Sequence, residues 1–135
     1  MFLLSRRVAF SASHHYSRPE WSDERNARAF GSALRPHAHN YTCYVTVAGE
    51  IDPVTGMVAD LAALDRVLED EVRQRFDGRD INRDVVEFAD GGLVPTGENL
   101  ARFILELVQR KLGAAVLVSS VTVREDEALS VEYRA

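Results

Sequence analysis

The stretch Pro36-His37-Ala38-His39-Asn40-Tyr41-Thr42-Cys43-Tyr44-Val45-Thr46-Val47 decides how this chain is read. From Asn40 to Ile51 it is dominated by β-branched and aromatic residues, which suit a pleated, half-buried surface, so it reads as a strand. His37-Ala-His39 stands at the strand's entry. Residues i and i+2 of a strand point to one face. Two imidazoles so placed can reach a single metal ion, with each nitrogen about 2.0–2.1 Å away if the ion is zinc. Cys43 lies on the same face, but four residues along a strand is about 13 Å, too far for the same ion. A buried core thiol is expected there.

A third ligand must come from another segment. All four histidines of the chain fall between positions 14 and 39. Leu3 to His14 also reads as a strand, with Val8, Phe10, Ala12 and His14 on one face at period 2. Antiparallel pairing of the two strands through the polar connection 17–35 would bring His14 or His15 to the His-x-His pair. Three neutral imidazoles with an open fourth position describe a catalytic zinc site rather than a structural one.

The remaining elements follow from periodicity and caps. Ser22 opens a short helix that runs to Phe30 and is stopped by Gly31. Asp52-Pro-Val-Thr-Gly56 is a turn, and Met57 and Val58 are expected to continue the ladder after it. Leu61, Leu64, Val67, Leu68 and Val72 sit at helical spacing behind Asp60 as N-cap. Residues 76–95 are expected to form a long loop, a feature often tied to function. Thr96 caps a second helix with an apolar stripe from Leu100 to Leu112, ended by Gly113. Two strands, Val116 to Val123 and Leu129 to Tyr133, close the chain. Strands in pairs with helices between them argue for the α+β class.

The chain has 135 residues, a length that suits one domain spanning 1–135. With 16 Lys+Arg against 21 Asp+Glu, the net charge of −5 lacks the footprint of a nucleic-acid binder and gives no attraction to anionic membranes. One cysteine excludes an intrachain disulfide or a Cys-rich zinc module. No apolar run approaches the roughly 20 residues that span a bilayer, and the run at Phe2–Leu4 is too short for a signal peptide, so a cytoplasmic protein is expected.

Several ordered motifs together resemble one family, the 6-pyruvoyl-tetrahydropterin and 6-carboxy-tetrahydropterin synthases. They are Phe10-Ser-Ala-Ser-His14, Pro36-His-Ala-His-Asn-Tyr41, Gly49-Glu-Ile-Asp-Pro-Val-Thr-Gly-Met-Val58 with Asp60-Leu61, Pro95-Thr-Gly-Glu-Asn99 and Val123-Arg-Glu125. The resemblance runs from Val8 to about Glu132. It implies the T-fold, a four-stranded antiparallel sheet with two helices on one face, assembling into a barrel. It also implies a homo-oligomer, a hexamer with active sites at subunit interfaces.

By position, the resemblance assigns zinc to His14, His37 and His39. It assigns a pterin-type substrate to Glu125, with Thr96 and Glu98 in a second contacting and capping segment. A carboxylate suits the pterin because it accepts two hydrogen bonds from an amino–amide edge. Of the family's proton-transfer groups, Asp77 is matched. Ala33 and Gly78 stand where a cysteine and a histidine are expected. The implied function is a zinc-dependent lyase of the 6-pyruvoyl-tetrahydropterin synthase type, acting on dihydroneopterin triphosphate or a related pterin with that non-standard catalytic set. A replacement base would come from His15, Asp77, Asp80 or Tyr41, or from a zinc-bound hydroxide. Alternatives are a silent pterin-binding or scaffold protein, or another zinc-assisted reaction on a pterin-like substrate.

Overall fold

The computed structural model describes residues 1–135. Its spine is the pair β1 (Phe2–His14) and β2 (His37–Gly49), antiparallel and in unbroken register from Phe2 opposite Gly49 to His14 opposite His37. Because side chains alternate, Val8, Phe10 and Ala12 of β1 and Tyr41, Cys43, Val45 and Val47 of β2 all turn inward and are buried. β4 (Leu117–Arg124) pairs antiparallel with the other side of β2, through a bulge between Thr46 and Val47, and adds Val118, Val121 and Val123 to the same face. β5 (Ser130–Arg134) pairs antiparallel with β4. The opposite face carries Arg7, Ser11, Asn40, Thr42, Tyr44, Thr122 and Arg124 and stays polar.

Two helical runs, residues 61–76 and 97–112, cover the apolar face, and the β1–β2 connection carries a separate helix. α1 (Asp23–Phe30) begins where Ser22 Oγ accepts from Arg25 N and ends at Gly31, followed by a 3₁₀ turn, Gly31–Leu34. α2 (Leu61–Val67) starts on Asp60, whose carboxylate accepts from Ala63 N. It runs through a π turn (Leu68–Arg73) into α3 (Gln74–Phe76). Leu64, Leu68, Val72 and Phe76 recur every four residues along this run and are all buried. A helix of about 3.6 residues per turn would rotate such a row steadily off the core. The wider π turn takes up the mismatch and keeps the row on the sheet. α5 (Gly97–Leu112), capped by Thr96, lays Leu100, Ile104, Leu107 and Val108 on β4 and β5. No helix is long and apolar enough to cross a membrane.

The expected four-stranded antiparallel sheet with two helices on one face, assembling into a barrel, is corrected here. The sheet has five strands in the order β3-β1-β2-β4-β5 and is mixed. β3 (Arg79–Asp80) lies parallel to Ala12–Ser13 of β1. Its cause is Gly78, whose φ of 71° turns the chain so that Gly78 N donates to Ser11 O at 2.7 Å. A two-residue strand carries no periodicity, so it is hidden in the sequence within the expected loop 76–95. The same segment holds α4 (Ile81–Asp84) and sends Ile81, Val85 and Phe88 into the core. The sheet is open because β3 and β5 are its two edges and do not meet. Met57 makes a single backbone bond, accepting from Asp52 N, instead of extending the ladder.

Candidate metal centre

The register that pairs His14 with His37 and Ala12 with His39 brings three imidazoles to the open end of the apolar face. One ring nitrogen from each lies within 4.8 Å of the others. The ring centroids stand 4.5 Å (His14–His37), 5.0 Å (His14–His39) and 5.0 Å (His37–His39) apart, close to an equilateral triangle. His14 is buried, and His37 and His39 are half-buried. His15, the other candidate for the third ligand, is outside the cluster. Its backbone is clamped by Asn82, whose Oδ1 accepts from His15 N and whose Nδ2 donates to His15 O, both at 2.9 Å.

Hydrogen bonds set the tautomers. His14 Nδ1 is 2.9 Å from Pro95 O, and His37 Nδ1 is 2.7 Å from Arg35 O. A carbonyl oxygen only accepts, so each Nδ1 carries the proton and each Nε2 keeps its lone pair for a metal. The Tyr41 hydroxyl oxygen lies 3.0 Å from His14 Nδ1 and completes that nitrogen's surroundings. His39 Nε2 is buried with no hydrogen-bond partner. Such an atom is costly unless something binds it, and a cation at the centre of the triangle answers that cost. Burial, then the neighbouring His37, pushes the His14 pKa down to about 4, so its ring is neutral near pH 7 and ready to ligate.

Glu125 continues the inward alternation of Val121 and Val123 past the end of β4. Its buried carboxylate reaches the triad, with Oε2 3.9 Å from His39 Nε2. Tyr16 Oη donates to Oε1 at 3.1 Å, and the Tyr16 ring stands edge-on to His14 at 5.0 Å. Burial first, and the charge of Glu125 second, push the Tyr16 pKa well above its ordinary value, so the phenol keeps its proton. The start of α5 approaches the same carboxylate. A Cβ on Gly97 would stand 3.8 Å from Glu125 Oε1 and would collide with Val131 Cγ2 at 2.9 Å. Sequence reasoning missed Tyr16, Asn82 and Pro95. The first had one available signal, its place two residues after His14.

The other expected site residues are placed less centrally. Thr96 Oγ1 is engaged as the cap of α5, accepting from Asn99 N at 3.2 Å. Glu98 is exposed in the first turn of α5. Asp77 is exposed beside Ser11 of β1, just before β3. Its Oδ1 accepts from Ser11 N at 2.9 Å, and Arg73 lies 3.6 Å from its Oδ2. Ser11 is three residues from His14, about 10 Å along the strand. Asp80 faces α4, where Asp84 Oδ2 accepts from its N–H.

The expected function, defined by Ala33 and Gly78 in place of a catalytic cysteine and histidine, is corrected by this geometry. What the site holds is the His14/His37/His39 metal-binding triad. Ala33 and Gly78 act through their main chains: Ala33 O accepts from Tyr16 N at 2.8 Å, and Gly78 seats β3 against β1. At both positions the chain's contribution is a backbone contact, which side-chain identity does not reveal.

Fold and triad together define a metal-binding protein built on an open, mixed sheet. Residues 3–135 match the family described as 6-pyruvoyl tetrahydropterin synthase, and the chain belongs to that family. It is similar to the human 6-pyruvoyl tetrahydrobiopterin synthase, with 43% identity over 133 residues, 97% of this chain and 90% of that one. A dihydroneopterin monophosphate aldolase from Pyrococcus furiosus is 28% identical over 93% of this chain and 91% of its own length. The solved 6-pyruvoyl tetrahydropterin synthase of Caenorhabditis elegans superposes with a TM-score of 0.92 at 31% identity, covering 99% of this chain and 95% of that one. The metal that this triad binds is zinc, which a set of three imidazole nitrogens suits.

Proposed function

We propose that residues 1–135 act as one unit, a zinc-dependent lyase that works on the side chain of a pterin-type substrate. The bond broken is carbon–oxygen, with loss of phosphate, or carbon–carbon. The observation that carries this reading is the buried Glu125 carboxylate beside the triad, with Oε2 3.9 Å from His39 Nε2. The names of its relatives cover both bond types, a tetrahydrobiopterin synthase and an aldolase.

Glu125 accepts hydrogen bonds from the amino and amide nitrogens of the pterin ring. Tyr16 fixes the plane of that carboxylate through Oε1. Thr96, by capping α5, and Glu98, in its first turn, shape the wall beside the ring. Bound zinc supplies a Lewis acid that polarises oxygens of the substrate side chain. Asp77, exposed beside Ser11 of β1, is the carboxylate offered for proton transfer, completing a site shared with a neighbouring copy. Two unpaired sheet edges support that sharing, and a homo-oligomer, a hexamer, is the assembly proposed. The free, buried Cys43 fits a reducing compartment, and the cytoplasm is the location proposed.

The test is incubation of zinc-loaded protein with dihydroneopterin triphosphate and, separately, the monophosphate. Release of inorganic phosphate species, or of a two-carbon aldehyde, identifies the bond broken. Full recovery of both substrates by a protein with about one zinc per chain would refute the lyase reading.

A further inference from the structure

The regular pairing of β1 stops at His14, yet the side chain two residues further on is held closely to the site. On one flank the β1–β2 ladder makes its last pair at His14–His37. On the other flank β3 pairs only with Ala12 and Ser13. Past those points an extended chain has backbone groups with no sheet partner. Tyr16 nevertheless stays in step with His14. Its ring stands edge-on to the His14 ring at 5.0 Å, and its hydroxyl donates to Glu125. Residues two apart share a face only while the chain is extended, so the chain must be held straight through His15.

Two partners from outside the sheet hold it. Asn82 Oδ1 accepts from His15 N, and Asn82 Nδ2 donates to His15 O, both at 2.9 Å. One primary amide thus supplies the acceptor and the donor that a neighbouring strand would. On the opposite flank Tyr16 N donates to Ala33 O at 2.8 Å. The mount of Asn82 is firm. Its neighbour Ile81 and the nearby Val85 are buried in the core, and Asp84 Oδ2 accepts from Asp80 N across the same turn at 2.9 Å. His14 does not depend on this clamp, because it is paired with His37 and its Nδ1 is bonded to Pro95 O.

We propose that Asn82 is a positioning residue, whose amide extends β1 beyond the metal ligand and so delivers the Tyr16 phenol to Glu125. It acts through Tyr16. For substrate affinity this rests on the reading of Glu125 as the acceptor of the pterin ring; for the placement of Tyr16 it stands alone.

The experiment compares zinc-loaded wild type, Asn82→Ala and Asn82→Asp by NMR of the full chain labelled at its tyrosine rings. The Tyr16 signal is identified by its loss in Tyr16→Phe. Asn82→Ala removes both bonds, and Asn82→Asp keeps the shape but sets a carboxylate, which only accepts, against His15 O. Both variants should bind zinc as wild type does and should shift the Tyr16 signal, with that of Tyr133 on β5 in place. Dissociation constants for dihydroneopterin are measured in parallel. Each Asn82 variant should weaken binding by about tenfold, the effect of losing one hydrogen bond to a charged group. In the Tyr16→Phe background neither should weaken it further, because nothing is left to position. In wild type alone, the His15 and Tyr16 amides should exchange slowly although both lie past the end of the strand. The proposal is overturned if those amides exchange freely, if the folded variants keep the wild-type Tyr16 signal, if they lose zinc, or if their effect on affinity adds in full to that of Tyr16→Phe. A Tyr16 signal that moves while pterin affinity does not, or a wild type that binds no pterin, leaves the placement standing and refutes the reading of Glu125 instead.

Discussion

Tyr16 reaches Glu125 across the mouth of the triad, with a single phenolic hydrogen bond at 3.1 Å. Removing only that oxygen isolates its part. Tyr16→Phe should raise KM for a pterin substrate by roughly tenfold with kcat held, the effect of losing one hydrogen bond to a charged group. An unchanged KM would show that Glu125 is held by other contacts. Cys43 gives a complementary case, because its burial pushes the thiol up to about 12. The native thiol should resist alkylation at pH 9, and denaturant should expose it. The sign of the linked stability follows. The unfolded thiol ionises from about pH 8.5 while the folded one stays protonated, so the native state loses stability as pH rises above that value. At this scale the sequence was informative wherever period 2 applied. The inward row Val8, Phe10, Ala12 and His14 and the inward pair His37 and His39 follow from alternation alone. Tyr16 and Pro95 were not legible, since one lies past the strand and the other contributes only a carbonyl.

Elements place these residues, and two of them make the point through backbone geometry. The row Leu64, Leu68, Val72, Phe76 needs the π turn to stay on the core. Phe76→Ala should cost about 3–5 kcal/mol in urea unfolding, because the ring is fully buried and stacks on Phe10 at 5.1 Å. Gly78 sits at φ 71° with open space around its Cβ position. Gly78→His should therefore cost about 1–2 kcal/mol from backbone strain, with no clash. A stability equal to wild type would show that the turn relaxes. Caps at Ser22, Asp60 and Thr96 and stops at Gly31 and Gly113 were legible because each is a local hydrogen-bond rule. β3 and the π turn were not. Each depends on what another segment presents, Ser11 in one case and the inner face of the sheet in the other.

At the scale of the whole molecule, the metal centre closes the open end of the core, and its contribution is measurable. His14→Ala or His37→Ala should lower bound zinc from about one per chain to near zero by elemental analysis. Chelation of the wild type should lower Tm, because binding confined to the folded state stabilises it. The triad also has a mechanical side. His14 belongs to β1, yet its Nδ1 is tied to the carbonyl of Pro95, the residue just before the Thr96 cap of α5. A ligand that fixes the His14 ring therefore pins the first turn of α5 against the sheet. Hydrogen–deuterium exchange should record this as slower exchange of Asn99 N–H and Leu100 N–H, which bond to Thr96. Distant amides of the same helix should change less, so the metal would set how often this corner of the molecule breathes.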